Sequence, residues 1–208
     1  MVFPSVYEMT NPLTTVRKQH FWEYFSGATL NSRWTTTNVT GSGTFAMADS
    51  ADGGFIMTTG SGANYESNIS FNNKRQFAHD GSIMIGVVQA VATSGSDAFM
   101  SLSDNATAAA YVGGDNTASW EIEGGTQYCN TSDGTSVTRT ALTSATAMGT
   151  GFRVGKVECG TANIKLTVDG VLEVVKTTNR PASAMQPKFS VFGNGKALSV
   201  KYMEAYNT

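Results

Sequence analysis

His20-Phe21-Trp22-Glu23-Tyr24-Phe25-Ser26-Gly27-Ala28-Thr29-Leu30-Asn31-Ser32-Arg33-Trp34 opens the strand pattern of this chain, and Leu198-Ser199-Val200-Lys201-Tyr202-Met203-Glu204-Ala205-Tyr206 closes it. The first stretch reads as an aromatic-rich strand entering a Phe-x-Gly-x-x-Leu-x-x-x-Trp turn, the second as a final strand ending in Tyr-x-x-x-Tyr. Between them, strand signals recur in short bursts at even spacing, the pattern of a sandwich or barrel. Thr44–Ala48 and Gly54–Thr59 flank the turn Asp49-Ser50-Ala51-Asp52-Gly53. Asn163–Val168 and Val171–Val175 flank Asp169-Gly170, a two-residue hairpin signal because both central positions want positive φ. Arg153–Cys159 alternates cleanly between apolar and charged residues. The segment 82–91 is the longest apolar run and predicts a central strand covered on both faces. No helical periodicity persists beyond about two turns, against a typical 8–20 residues.

Composition narrows the class. At 208 residues the chain suits one all-β domain with a sizeable core. Only 14% of residues are charged and the net charge is -2, so the cationic stripe that nucleic acid requires is absent. No apolar run reaches membrane-spanning length, so no membrane partner is expected. The 22 glycines read as turns, because eleven Phe, seven Tyr and three Trp are too many for a disordered polymer. Cys129 and Cys159 fall in predicted strands. A disulfide between them would need an oxidising compartment, and residues 1–19 lack an apolar signal-peptide core, so two buried free thiols is the simpler expectation.

The order of these anchors resembles the concanavalin A-like lectin/glucanase jelly rolls, the laminin-G-like sandwiches among them, over roughly residues 20–206. The resemblance implies an antiparallel two-sheet jelly-roll β-sandwich over 20–208; residues 1–19, too apolar for a solvated tail and too irregular for a strand, read as an extended N-terminal arm outside it. It also frames the chemistry. A glycanase of this kind carries Glu-x-Asp-x-Glu on one strand, yet 81–88, the strand expected to bear it, has no carboxylate. Glu121-Ile122-Glu123 is the nearest substitute and reads as a solvated face, with Trp120 and Ile122 on the other side. The structural calcium site of many relatives takes an Asp from the last strand, where this chain has Lys201, and an ammonium does not ligate a hard cation. No catalytic, metal or cofactor site is therefore expected.

Two functions remain. The principal expectation is a non-enzymatic virion structural protein, a phage capsid decoration or cement protein assembled in the host cytoplasm. It would homo-oligomerise or hold the major capsid protein through an arm carrying Phe3, Tyr7, Leu13, Arg17 and Lys18. The alternative is a carbohydrate-binding, host-adhesion module whose stacking platform is Tyr111, Trp120 and Tyr128, beside Asn105, Asn116 and Asn130.

Overall fold

Short alternating runs separated by small-residue turns can bury an apolar face only by pairing with one another. The computed structural model describes residues 19–48, 54–90, 96–105, 115–123, 126–143 and 151–208, and these form fifteen strands and no helix. The arm residues Phe3, Tyr7, Leu13, Arg17 and Lys18, and Tyr111, lie outside the described residues.

One sheet has eight strands: β1 (His20–Tyr24), β3 (Gly43–Met47), β4 (Phe55–Thr59), β6 (Ser82–Ala90), β11 (Arg153–Cys159), β12 (Ile164–Val168), β13 (Val171–Lys176) and β15 (Ala197–Asn207). Its order is β13-β12-β11-β6-β15-β4-β3, with β1 also paired to β15. The other sheet has seven: β2 (Thr35–Thr40), β5 (Glu66–Ser70), β7 (Ser96–Ser103), β8 (Asn116–Glu123), β9 (Thr126–Asp133), β10 (Val137–Ala141) and β14 (Gln186–Gly193), in the order β10-β9-β8-β7-β14-β5-β2. Every pairing is antiparallel, and the two sheets form the expected jelly-roll β-sandwich.

The two sequence anchors meet in the core. β1 pairs with the far half of β15, His20 opposite Tyr206 and Tyr24 opposite Tyr202. The turn after β1 then drops Phe25 and Trp34 inward, with ring centroids 5.5 Å apart. Trp34 also meets Phe71 at 5.6 Å and Phe189 of β14 at 6.1 Å, so one aromatic cluster ties both sheets to the turn. Gly27 takes φ +97° there, a conformation that a side chain would oppose. The β12–β13 hairpin turns on Asp169 at φ 49° and Gly170 at φ 84°, as the Asp-Gly signal requires.

β6 runs centrally, between β11 and β15, fully buried on its inner face and partly covered on its outer face, where Ile83 is also buried. Met84, Val88 and Ala90 are buried, while Ile85, Val87 and Gln89 are half-buried on the outer side. Apolarity alone did not distinguish a two-sided strand from one whose outer face meets solvent beside tyrosines. Cys129 and Cys159 are both buried and unpaired, and burial pushes each thiol up to about 12.

Candidate functional site

The seven-stranded sheet turns a chemically uniform row of residues to each side. Inward stand Thr36, Ile69, Phe189, Met100, Trp120, Cys129 and Thr140, aligned across all seven strands. One residue along each strand, the outward row reads Thr35, Ser70, Lys188, Ser101, Ser119, Asn130 and Arg139. The next outward row carries Thr37, Asn68, Ser190, Phe99, Glu121, Tyr128 and Ala141. On the other side of Lys188 lie Gln186, Ser103, Thr117, Ser132 and Val137. Alternation thus makes one face of the sheet mostly hydroxyls, amides and a few charges, with Phe99, Tyr128, Ala141 and Val137 interspersed.

An outward polar face ordinarily meets water. The middle of this one does not: Asn68, Ser101, Ser119, Asn130, Gln186 and Lys188 are all 0% exposed, while Arg139 at its β10 edge is 37% exposed. Some of its groups satisfy one another. The Ser101 hydroxyl donates to the Lys188 carbonyl at 3.2 Å, and Thr117 donates to the Leu102 carbonyl at 3.1 Å. Others do not. Among the described residues no hydrogen-bond partner exists for Glu66 Oε1, both amide atoms of Asn68 and of Gln186, Asn130 Oδ1, or the Ser119 and Ser190 hydroxyls. Each such orphan costs about 1–3 kcal/mol if left dry.

Two charged groups shape its middle. Burial pushes Lys188 down to about 8, against the pull of Glu66, Asp115 and Asp104. Burial also pushes Glu66 up to about 7, an effect that Lys188 opposes and Asp115 reinforces. At the β9–β10 side, Arg139 closes a clamp. Its Nε and Nη2 donate to the two oxygens of Glu121 at 2.9 and 2.6 Å, and Nη2 also donates to Glu123. Asn130 Nδ2 adds a third donor to Glu121 at 2.5 Å. The guanidinium lies over the Tyr128 ring, 3.6 Å from its centroid.

These positions correct three sequence readings. Glu121 is not solvated but 1% exposed, because alternation identifies the face a residue takes and not whether that face is covered. The strand that bears the paired glutamates is β8 of the seven-stranded sheet, whereas the carboxylate-free segment 81–88 forms β6 of the other sheet. On β8 the alternate positions read Ser119, Glu121 and Glu123, so the strand presents two carboxylates in alternation and not three. Trp120 is no platform residue. It is 0% exposed, packs over Gly155, and donates from Nε1 to Gln127 at 2.8 Å.

Of the other platform candidates, Tyr128 does stand on the outward face, under Arg139. Asn130 joins it there. Asn105 and Asn116 instead tie together the ends of β7 and β8, Asn105 donating to Asp115 at 2.9 Å and Asn116 to Asp104 at 2.8 Å. Lys201, the residue at the calcium position of relatives, places its ammonium 4.3 Å from the centre of the Phe152 ring. Sequence reasoning missed Glu66, Asn68, Gln186 and Lys188. The available signal was polar alternation through two segments, Glu66-Ser67-Asn68-Ile69-Ser70 and Gln186-Pro187-Lys188-Phe189-Ser190.

No family model and no curated protein matches the chain by sequence. Solved structures do match by shape. A Bacillus licheniformis β-glucanase superposes with TM-score 0.67 at 11% identity, over 91% of this chain and 98% of its own. The Crh5 transglycosylase gives 0.66 at 13% identity, over 91% of this chain and 84% of its own. The carbohydrate recognition domain of Emp47p gives 0.65 at 11% identity, over 90% and 98%. The fold is thus that of the concanavalin A-like lectins and glucanases. These neighbours overturn the expectation of a virion decoration or cement protein. By their names they are a glucanase, a transglycosylase and a carbohydrate recognition domain, whereas the capsid reading rested on missing catalytic carboxylates, an apolar arm and low-charge strands. Most are glycosidases, but at such low identity the likeness carries the fold and not a catalytic assignment.

Proposed function

We propose that this concanavalin A-like sandwich binds carbohydrate on the outer face of its seven-stranded sheet and does not hydrolyse it. One observation carries the reading: the seven-stranded sheet turns hydroxyl, amide and carboxylate groups outward, several of them partnerless among the described residues, and this face reaches solvent at Arg139, 37% exposed, and Glu123, 41% exposed. A sugar presents donors and acceptors at nearly every carbon, so it can satisfy such groups as no apolar ligand could. The Emp47p domain, a carbohydrate recognition domain of the same fold, supports the reading by analogy of fold.

The clamp on Glu121 argues for binding rather than cleavage. Retaining hydrolysis needs one carboxylate free to attack and another free to give up a proton, about 5–5.5 Å apart. Here Glu121 accepts three hydrogen bonds, and it shares with Glu123 the same guanidinium. A carboxylate so engaged is a structural anion, not a nucleophile.

The test is titration of the purified chain with soluble β-glucan oligosaccharides, beside Asn68→Ala, Gln186→Ala and, on the other sheet, Lys165→Ala. Losing one ligand hydrogen bond should weaken binding roughly tenfold for each face variant, since ~1.4 kcal/mol is a factor of ten. Lys165→Ala should bind as the unaltered chain does. Equal affinity in all four proteins would refute the assignment of the face, and release of reducing ends from β-glucan would refute the absence of hydrolysis.

A further inference from the structure

The polar face is dry in the middle, yet no described strand stands over it. Asn68, Ser101, Ser119, Asn130, Gln186 and Lys188 are fully buried, and Glu121 nearly so. The eight-stranded sheet packs on the opposite side, and all seven strands of the other sheet lie within its own plane. Phe99 sharpens the point. It stands in an outward row between Ser190 and Glu121, where a phenyl ring would meet water, and it too is fully buried. A single chain makes side chains directed away from a sheet inaccessible by laying more of itself over them.

Residues 1–18 are the longest stretch outside the described residues, and they join the sandwich at one end of this face. The Gln19 carbonyl accepts from the Asn207 amide at 2.8 Å. The Asn207 side chain accepts from the Ala78 amide at 2.9 Å and donates to the Gln76 carbonyl at 3.2 Å. Phe77, between those two, bridges to Met185, the residue before Gln186 of β14. The junction therefore lies at the end where Gln186 and Lys188 stand. An extended segment of this length reaches about 60 Å. It has ~10 Å to cross between the sheets and ~19 Å between Asn68 on β5 and Asn130 on β9, four strand spacings apart.

The chemistry of the segment matches the face. Asn68 and Gln186 each keep both sides of their amide without a partner among the described residues. That is the complement of a peptide unit, which offers one C=O and one N–H. Pro4 and Pro12 oppose a helix, so the peptide units near them are not consumed by a helical ladder. Phe3, Tyr7 and Leu13 supply apolar cover for Phe99. Arg17 and Lys18, beside the junction, bring cations to the end that carries Asp104 and Asp115, where one Asp115 oxygen has no partner.

We propose that residues 1–18 lie across the outer face of the seven-stranded sheet of their own chain, as an intramolecular cover that a glycan must displace. The cover stands without the carbohydrate reading, and the displacement rests on it. A covered face binds with an affinity reduced by the fraction of chains in which the segment has lifted, so loosening the segment strengthens binding.

The experiment uses the full chain with one added cysteine, Ser5→Cys, carrying a nitroxide spin label. Cys129 and Cys159, buried in the core, stay unlabelled. Paramagnetic broadening is read on the side-chain amide resonances of Asn68, Asn130 and Gln186, with the Leu172 methyl groups on the other outer face as the reference. The three amides should lose most of their intensity, and Leu172 should keep its own. Phe3→Ser with Tyr7→Ser in the labelled chain should restore the amides and tighten binding of cellotetraose. In a mixture of spin-labelled chain with isotopically labelled chain of unaltered sequence, the amides should stay sharp. Loss of intensity in that mixture would give the face to a second copy and overturn the inference, as would amides that remain sharp in the labelled chain itself. If the amides broaden but cellotetraose neither binds nor sharpens them, the carbohydrate reading falls and the cover stands. If cellotetraose binds and the amides never broaden, only the cover falls.

Discussion

Lys188→Met should remove one limb of the protein's stability–pH curve. Lys188 is 0% exposed and its ammonium is pushed down to about 8, from an ordinary 10.5. Below pH 8 the folded chain holds this charge and bears its full desolvation. As pH rises from 8 to 10.5 the folded lysine has released its proton while the unfolded one keeps it, so stability climbs across that window. A depression of this size corresponds to roughly 3 kcal/mol at full effect. Glu66 acts in the opposite direction. Its carboxyl is raised to about 7 from 4.5, so its stabilising contribution is complete below pH 4.5 and is lost as pH rises to 7. The contribution of the pair is therefore least near pH 7–8 and grows on both sides. Urea unfolding followed by tryptophan fluorescence, from pH 4 to 10.5, would show this in the difference between Lys188→Met and the unaltered chain. The variant should lose the alkaline rise. Its acid limb should begin at higher pH, since Glu66 no longer has a cation to oppose its protonation. Parallel curves for the two proteins above pH 8 would mean that Lys188 is hydrated and that the face is not a desolvated site.

Three further outcomes follow from single contacts. Arg139→Met strands the carboxylate of Glu121 in a covered position. Because Arg139 itself is 37% exposed, the loss should fall at or below the lower end of the buried-pair range, about 2–3 kcal/mol in urea unfolding, and Glu121→Leu in the same chain should recover part of it. Gly155→Ala places a Cβ 2.2 Å from the Trp120 ring, and a lowered melting temperature from ~1–3 kcal/mol of overpacking is the expected readout. The thiols of Cys129 and Cys159, each pushed up to about 12 by burial, should resist a thiol-reactive disulfide reagent at pH 8 until denaturant is added.

Much of the fold could be read from residues that must be buried or must turn. Phe25, Gly27 and Trp34 announce an aromatic turn, Asp169-Gly170 a tight hairpin, and the alternation of Arg153–Cys159 a one-sided strand. β10 and β14 escaped notice for physical reasons. Val137-Thr138-Arg139-Thr140-Ala141 has little apolar content, because an edge strand buries little. Gln186–Gly193 carries a proline and a lysine at its second and third positions, residues that propensity disfavours in a central strand. The site was less legible than the fold. Exposed aromatics are the usual sign of a sugar platform, and this directed attention to Trp120, which is core. What marks the site is polar alternation on five neighbouring strands, and strand order is a long-range property that local sequence does not encode. Glu66 and Lys188 are 122 positions apart in the sequence, and only the β5–β14 pairing brings them to one face.

The measurement that bears most directly on the carbohydrate reading is a nuclear magnetic resonance map of side-chain amide and backbone shifts during titration with cellotetraose. The two outer faces of the sandwich are the natural competitors. One carries Asn68, Gln186, Asn130 and Ser190. The other carries Trp22, Tyr24 and Tyr202, with Tyr24 61% exposed and its ring 4.7 Å from that of Tyr202. Saturable shifts centred on the Asn68, Asn130 and Gln186 side-chain amides, with the β1–β15 tyrosines undisturbed, are the expected result. Shifts confined to Trp22, Tyr24 and Tyr202, or no shifts at millimolar sugar, would contradict it.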